Sequence, residues 1–263
     1  MLLTVAARDT DLTFGLYAGR GDSARLVRDW RIRTDNRHTA DEFALTIRGM
    51  LGEHADDVTG VSVLSTVPPV RRELRAMLSR YYPDVPRVII EPGVRTGVPL
   101  LVDNPKEVGQ DRLVNALAVH ALHPDRACVV VDFGTATVVD AVSSRGEFLG
   151  GAFAPGIEIS LDALATRAAA LRTVELVRPR SVIGKNTVEC LQAGILYGFA
   201  GQVDGLVSRV LAEWGANPGE VAVVATGGLA GLVLAESRTI TEHRPDLTLL
   251  GLRLAYERNK RER

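Results

Sequence analysis

Mainly apolar runs separated by polar turn residues open the chain, and helical spacing of apolar positions follows. The pattern predicts strands over 2–7, 12–17 and 27–33. A helix is predicted over 39–51. Thr39 is an N-cap residue type, Glu42 three residues on completes a capping box, and Phe43, Ile47, Met50 and Leu51 recur at helical spacing. A strand over 58–64, a proline-started helix over 69–81 and a short strand over 88–90 follow. Pro92, Gly93, Gly97, Pro99 and Pro105 then break the periodicity, and a helix runs from near Gly109 to about Leu122.

The order restarts after that helix. Strands are predicted over 127–132, 138–143 and 148–153, the last two joined by the turn Ser144-Arg145-Gly146-Glu147. Helices over 157–171 and 187–213 come next, then a strand over 221–225 that ends in Thr226-Gly227-Gly228. A helix resumes at Leu229, and the tail from Thr248 reads as a last helix. The order β-β-β-α-β-α thus occurs about twice, which predicts two α/β domains with mixed sheets, 1–115 and 116–263.

Each half opens on a strand-turn-strand. Residues 131–142 read V-D-F-G-T-A-T-V-V-D-A-V, and residues 5–16, V-A-A-R-D-T-D-L-T-F-G-L, fit the same outline. In that register Ala6 matches Asp132 and Arg8 matches Gly134. A D-x-G-T turn suits phosphate binding, because glycine lets backbone approach while amides and hydroxyls donate to oxygens. Two such turns would hold a nucleotide tail from both sides. The second copy carries this chemistry, and the first has lost its acid and its glycine. Between them, Asp111 and Arg112 open a helix behind an unusually Gly/Pro-rich stretch. Such an Asp can accept a hydroxyl proton, and such an Arg can hold a carboxylate or phosphate with two hydrogen bonds. A plain helix-capping salt bridge is the alternative.

Composition narrows the function classes. The chain has 263 residues, 46% hydrophobic and 24% charged, with a net charge of −1, so no global field favours nucleic acid or an anionic membrane. The one basic run is terminal, Arg258, Lys260, Arg261 and Arg263, and reads as a solvated end. Cys128 and Cys190 lie in apolar periodic stretches without metal-ligand spacing, and are expected to be buried, reduced thiols. The five histidines show no ligand spacing either. No signal peptide or membrane-length apolar run is evident, which leads to the expectation of a cytoplasmic protein.

The duplicated halves resemble the actin, Hsp70 and sugar-kinase superfamily, which implies two ribonuclease H-like domains with ATP in the cleft between them. A closer resemblance is carried by L-L-V-D-N-P-K-E-V-G-Q-D-R, V-V-V-D-F-G-T-A-T, G-E-F-L-G-G-A-F-A-P-G-I-E-I-S, S-V-I-G-K-N-T-V-E-C and A-T-G-G-L-A. Together these resemble the type III pantothenate kinases along nearly the whole chain. The resemblance implies transfer of the ATP γ-phosphoryl to the pantothenate hydroxyl, the first step of coenzyme A synthesis. It also implies a homodimer that uses Mg²⁺ and a monovalent cation, K⁺ or NH₄⁺.

By that resemblance Asp111 would be the proton acceptor, with Gly109, Gln110 and Arg112 completing the pantothenate pocket. Gln110 replaces the family's usual small residue, and Val102 stands where many members place a Tyr. Thr187 would bind pantothenate or cap its helix. Asp132 would hold the monovalent cation, Thr135 would touch ATP phosphate, and Gly227 and Gly228 would border the adenosine. Ala6, Arg8, Asp9 and Thr10 fall where the family reads D-V-G-N-T, and only Thr10 matches among the polar positions. Losing a metal-positioning acid and gaining a cation would slow transfer, unless Asp9 or Asp11 takes the metal and Arg8 neutralises phosphate. Three readings follow: an impaired pantothenate kinase, an inactive pseudokinase that senses a small molecule, or a kinase for a related substrate.

Overall fold

The computed structural model describes residues 1–167 and 174–260. Strands β1 (Leu2–Ala7), β2 (Asp11–Ala18) and β3 (Arg25–Arg33) form an antiparallel meander. Helix α1 (Ala40–Leu51), strand β4 (Gly60–Ser65), helix α2 (Pro68–Tyr81) and strand β5 (Arg87–Ile89) follow. β4 runs parallel to β1 and β5 parallel to β4, which gives the order β3-β2-β1-β4-β5. Helix α3 (Gln110–Leu122) leads into the repeat: β6 (Cys128–Phe133), β7 (Ala136–Val142), β8 (Phe148–Pro155), α4 (Ile157–Arg167), α5 (Thr187–Trp214), β9 (Ala222–Thr226), α6 (Ala230–Val233) and β10 (Glu242–His243). Its sheet has the order β10-β9-β6-β7-β8, with the same parallel and antiparallel neighbours. Helix α7 (Leu247–Lys260) closes the described chain.

The two sheets also share an irregularity. The register slips between Leu16 and Tyr17 where β2 meets β3, and between Ala141 and Val142 where β7 meets β8. Leu16 and Tyr17 pair with Leu3 and Leu2, while Ala141 and Val142 pair with Val129 and Cys128. A bulge marks a fixed place in a sheet. Counting from it, Ala6 corresponds to Asp132 and Arg8 to Gly134, the match expected from the sequence.

Each unit has its own core. Leu3, Val5, Ala7, Phe14 and Leu16 pack against Phe43 and Ile47 of α1 and Leu74 and Met77 of α2. Val129, Val131 and Phe133 pack against Phe199, Val203 and Val207 of α5. The capping box forms as expected: Thr39 Oγ1 accepts from the Glu42 N–H, and Glu42 accepts from the Thr39 N–H at 2.8 Å. Met50, placed on the apolar face from spacing, is 44% exposed, and Ala40 and Ala44 bury in its stead.

The division of the chain differs from a single cut at 115/116. One compact unit comprises Met1–Gly97, Asn104–Ala118 and Thr248–Arg263, the other Val98–Asp103 and Val119–Leu247. The final helix returns to the first unit because the open face of its sheet needs cover. Ser62 Oγ donates to the Leu252 carbonyl at 2.8 Å, and Gly15 and Gly60 leave bare backbone under Leu249 and Tyr256. Gly251 of α7 lies so close to the Val114 carbonyl that a Cβ there would sit 2.1 Å away. Two further expectations change. The helix resuming at Leu229 is only the four residues of α6, and β10 was not anticipated. The expected end of the helix over 157–171 lies outside the described residues, as do Arg261 and Arg263.

Candidate active site

In the second unit the turn between β6 and β7 is walled by backbone. Asp132 is the penultimate residue of the buried strand β6, is 7% exposed and pairs with Thr226 of β9 in parallel register. The Gly134 N–H donates to the Ala136 carbonyl at 3.1 Å, and the Gly156 N–H donates to the Thr135 carbonyl at 3.1 Å. A Cβ on Gly156 would lie 2.3 Å from the Thr135 carbonyl oxygen. A Cβ on Gly227 would lie 2.5 Å from the Phe133 carbonyl oxygen and 2.6 Å from Asp132 Oδ1, and Gly227 has φ +92°. Only glycine meets both demands. Gly156 and Gly227 are thus packed directly against the main chain of the turn, with the Asp132 carboxylate beside Gly227, and groups of this kind suit phosphate oxygens or a cation with carbonyl ligands. Gly228 is exposed beside Gly227. Among the described residues no three His, Cys, Asp or Glu side chains converge as a metal cluster.

The matching turn of the first unit is one residue longer and filled differently. Ala6 is 1% exposed and brings a methyl where Asp132 brings a carboxylate. The Arg8 N–H closes the turn on the Asp11 carbonyl at 2.8 Å. Its guanidinium reaches α3 and α7: Nε stands 3.8 Å from Asp111 Oδ2, and Nη2 donates to Thr248 Oγ1 at 2.9 Å. Thr248 Oγ1 in turn donates to Asn115 Oδ1 at 2.8 Å. Asp9 is exposed, and Asp11 is paired with Arg31 at 2.7 Å while accepting from Thr10 Oγ1 at 3.3 Å.

Asp111 sits in the first turn of α3. Its Oδ1 accepts the Arg112 backbone N–H at 3.0 Å and crowds Gly109, where a Cβ would lie 2.7 Å away. An anion in the first turn suits the helix dipole. Asp111 thus has a long-range partner in Arg8, and Arg112 contributes its N–H to the carboxylate. Gln110, Asp111 and Arg112 are all half-buried. Neither Thr248 nor Asn115 was singled out from the sequence. They lie far from Arg8 along the chain, and no motif marks them.

The other candidates fall in the second unit. Val102 packs over Gly150. Thr187 is exposed and is the first residue of α5, but the cap is Asn186, whose side chain accepts from the Glu189 N–H at 3.0 Å. Cys128 is buried, which pushes its thiol up to about 11, whereas Cys190, expected to be buried, is exposed. It lies in the first turns of α5, where the helix has not yet reached the core contacts of Ile195 and Phe199.

Two α/β units with one strand order, each opening on a turn of phosphate-binding outline, define the actin, Hsp70 and sugar-kinase type of fold. The fold is similar to that of the activator of 2-hydroxyisocaproyl-CoA dehydratase from Clostridium difficile (TM-score 0.54, 14% identity, covering 99% of this chain and 96% of that one). It is likewise similar to inorganic polyphosphate/ATP-glucomannokinase from Arthrobacter sp. strain KM (TM-score 0.51, 12% identity, covering 98% of each chain). The chain belongs to the type III pantothenate kinase family: the family's model matches residues 2–209. The type III pantothenate kinase of Saccharopolyspora erythraea is 68% identical, over 98% of this chain and 99% of that one. That of Rhodococcus opacus is 64% identical, over 100% and 97%.

Proposed function

We propose that this chain phosphorylates pantothenate with ATP, with Asp111 taking the proton of the attacking hydroxyl. The observation that carries the reading is the Asp111 carboxylate, held at the N-terminus of α3 by the Arg112 N–H beside the bare backbone of Gly109. An acceptor must be fixed within hydrogen-bond reach of its proton. Gln110 and Arg112 flank it as pantothenate contacts, with Val102 and Thr187 carried over from the family. We assign the donor phosphates to the β6–β7 turn at Gly134 and Thr135, with Gly227 and Gly228 bordering the adenosine. Asp132 and neighbouring carbonyls suit K⁺ or NH₄⁺. Mg²⁺ would arrive on the ATP phosphates, where it neutralises charge that develops in transfer.

Ala6 is the reason for expecting a slow enzyme. Transfer of this kind depends on positioning and electrostatics, and one missing stabiliser costs about 10²–10³ in rate. The family's dimer would cover apolar side chains that the second unit leaves exposed, among them Phe153, Val182 and Ile183. The deciding experiment is a coupled kinase assay of the purified chain with ATP, Mg²⁺, K⁺ and pantothenate. ATP-dependent phosphopantothenate formation above background is expected. Calorimetric binding of pantothenate without turnover would make the chain a pseudokinase, the reading Ala6 favours. Turnover of a related hydroxy acid alone would shift the substrate, the reading Gln110 and Val102 favour.

A further inference from the structure

We propose that Arg8 is a positioning residue for Asp111, so that the cation in the first turn serves the phosphoryl acceptor and not the donor phosphates. The inference rests on reading Asp111 as the proton acceptor. Its basis is a chain of contacts tying three separate parts of the first unit. Arg8 projects from a turn whose backbone is fixed by its own N–H on the Asp11 carbonyl. One edge of the guanidinium faces Asp111 Oδ2 at 3.8 Å, and another donates to Thr248 Oγ1 at 2.9 Å. Thr248, 7% exposed, is itself fixed by donating to Asn115, 2% exposed and one helical turn beyond Asp111 on α3.

The carboxylate is therefore bounded on two sides. Oδ1 is held by the helix's own N–H, and Oδ2 faces the cation. The Arg8 and Asp111 side chains are 19% and 23% exposed, so solvent screens the pair less than it screens a surface ion pair. The planar guanidinium addresses two acceptors from one rigid fork, which an ammonium cannot do. An acceptor needs that restraint, because misplacement by about 1 Å can cost 10²-fold in rate. The same contacts explain why a bulky cation is compatible with the turn: Asp111 and Thr248 of the same unit receive it.

The test is steady-state kinetics on the full chain with ATP and pantothenate, comparing Arg8→Ala, Arg8→Lys, Thr248→Val, Asp111→Asn and the double variant Arg8→Ala/Asp111→Asn. Arg8→Ala is expected to lower kcat by about 10–100-fold with both KM values nearly unchanged, and Arg8→Lys to recover only part of the loss. Asp111→Asn is expected to lose about 10²–10⁴-fold, and the double variant no more than that, since Arg8 acts through Asp111. Multiplying losses in the double variant would overturn the proposal while leaving Asp111 as acceptor. So would a raised KM for ATP at unchanged kcat, which would make Arg8 a phosphate ligand. If Arg8→Ala does not fold, Thr248→Val gives the same comparison: a smaller kcat loss that vanishes on the Asp111→Asn background supports the proposal, and one that persists there removes it. Wild-type kcat in Asp111→Asn sinks the acceptor reading and this one together. So does absence of turnover both in the natural chain and in Ala6→Asp.

Discussion

The hairpins β1–β2 and β6–β7 have the same neighbours, the same bulge and turns at the same place, yet their surroundings are opposite. Around the second turn glycines dominate: Gly134, Gly156 and Gly227 bring main chain together, and Asp132 supplies one charge. Around the first turn side chains fill the space: Arg8 reaches Asp111 and Thr248, and Ser65 stands where the second unit has Gly227. The duplicated backbone has thus been put to two uses. One copy packs glycine backbone against its turn, and the other sets the Arg8 side chain against a neighbouring helix. Similar topology did not carry similar chemistry, because the chemistry depends on which positions lack a Cβ.

The largest effect should come from putting a side chain into the bare wall. Gly227→Ala forces a left-handed backbone on an L residue and drives a methyl to 2.5 Å from the Phe133 carbonyl oxygen. The combined strain and overpacking are expected to cost about 2–4 kcal/mol, read as a lower denaturant midpoint with an unchanged m value. Ser65→Ala, the corresponding site of the first unit, loses the hydroxyl's bond to the Val67 carbonyl at 3.0 Å and the one it accepts from the Val67 N–H at 3.2 Å, and should cost about 1 kcal/mol. Equal costs at the two positions would contradict the contrast between a bare and a filled turn.

A smaller effect is expected from restoring the acid of the first copy. Ala6→Asp should raise kcat by about tenfold, part of the 10²–10³ that one electrostatic stabiliser contributes. The same change with Arg8→Gly should forfeit that gain, because Asp111 then loses its cation. The kinase assay reads both variants. A further rise in the double change would mean that Arg8 hinders the donor phosphates, as its place in a turn of phosphate-binding outline first suggested.

Much of this was legible in the sequence wherever the signal is local. Strand β1 falls on its predicted residues, the Thr39–Glu42 capping box forms, and the register matching Ala6 to Asp132 follows from the turn motif and is repeated by the bulge. Asp111 was visible through its motif, but its ion-pair partner was not. Arg8 lies about a hundred positions away, and nothing in a one-dimensional pattern brings Thr248 to it. The return of α7 to the first unit was hidden for the same reason: its apolar spacing shows that it is covered, not what it covers. Cys190 misled because an apolar neighbourhood in sequence does not fix which face of a helix a residue takes.

The smallest effect tests where the second unit departs from the first for lack of a helix. The first unit has the fourteen residues of α2 between β4 and β5, and the second has only the four of α6 between β9 and β10. The connection after α6 is held instead by Asp204 of α5, which accepts from Ser237 Oγ at 2.6 Å, the Arg238 N–H at 2.9 Å, the Thr239 N–H at 3.1 Å and Thr239 Oγ1 at 2.8 Å. Partial burial works against the charge, but these donors outweigh it and hold the carboxyl below its ordinary 3.8. A carboxyl lowered by folding stabilises the native state above its unfolded value, and that contribution fades as pH falls through the folded value. Asp204→Asn turns an amide N–H₂ toward donors and should cost about 1 kcal/mol at pH 7. The gap between wild type and variant should narrow below pH 3.8, measured by denaturant melts at pH 7 and pH 3. A gap that stays constant across that range would mean the loop is held by its own turn geometry, and that the second unit needs no substitute for α2.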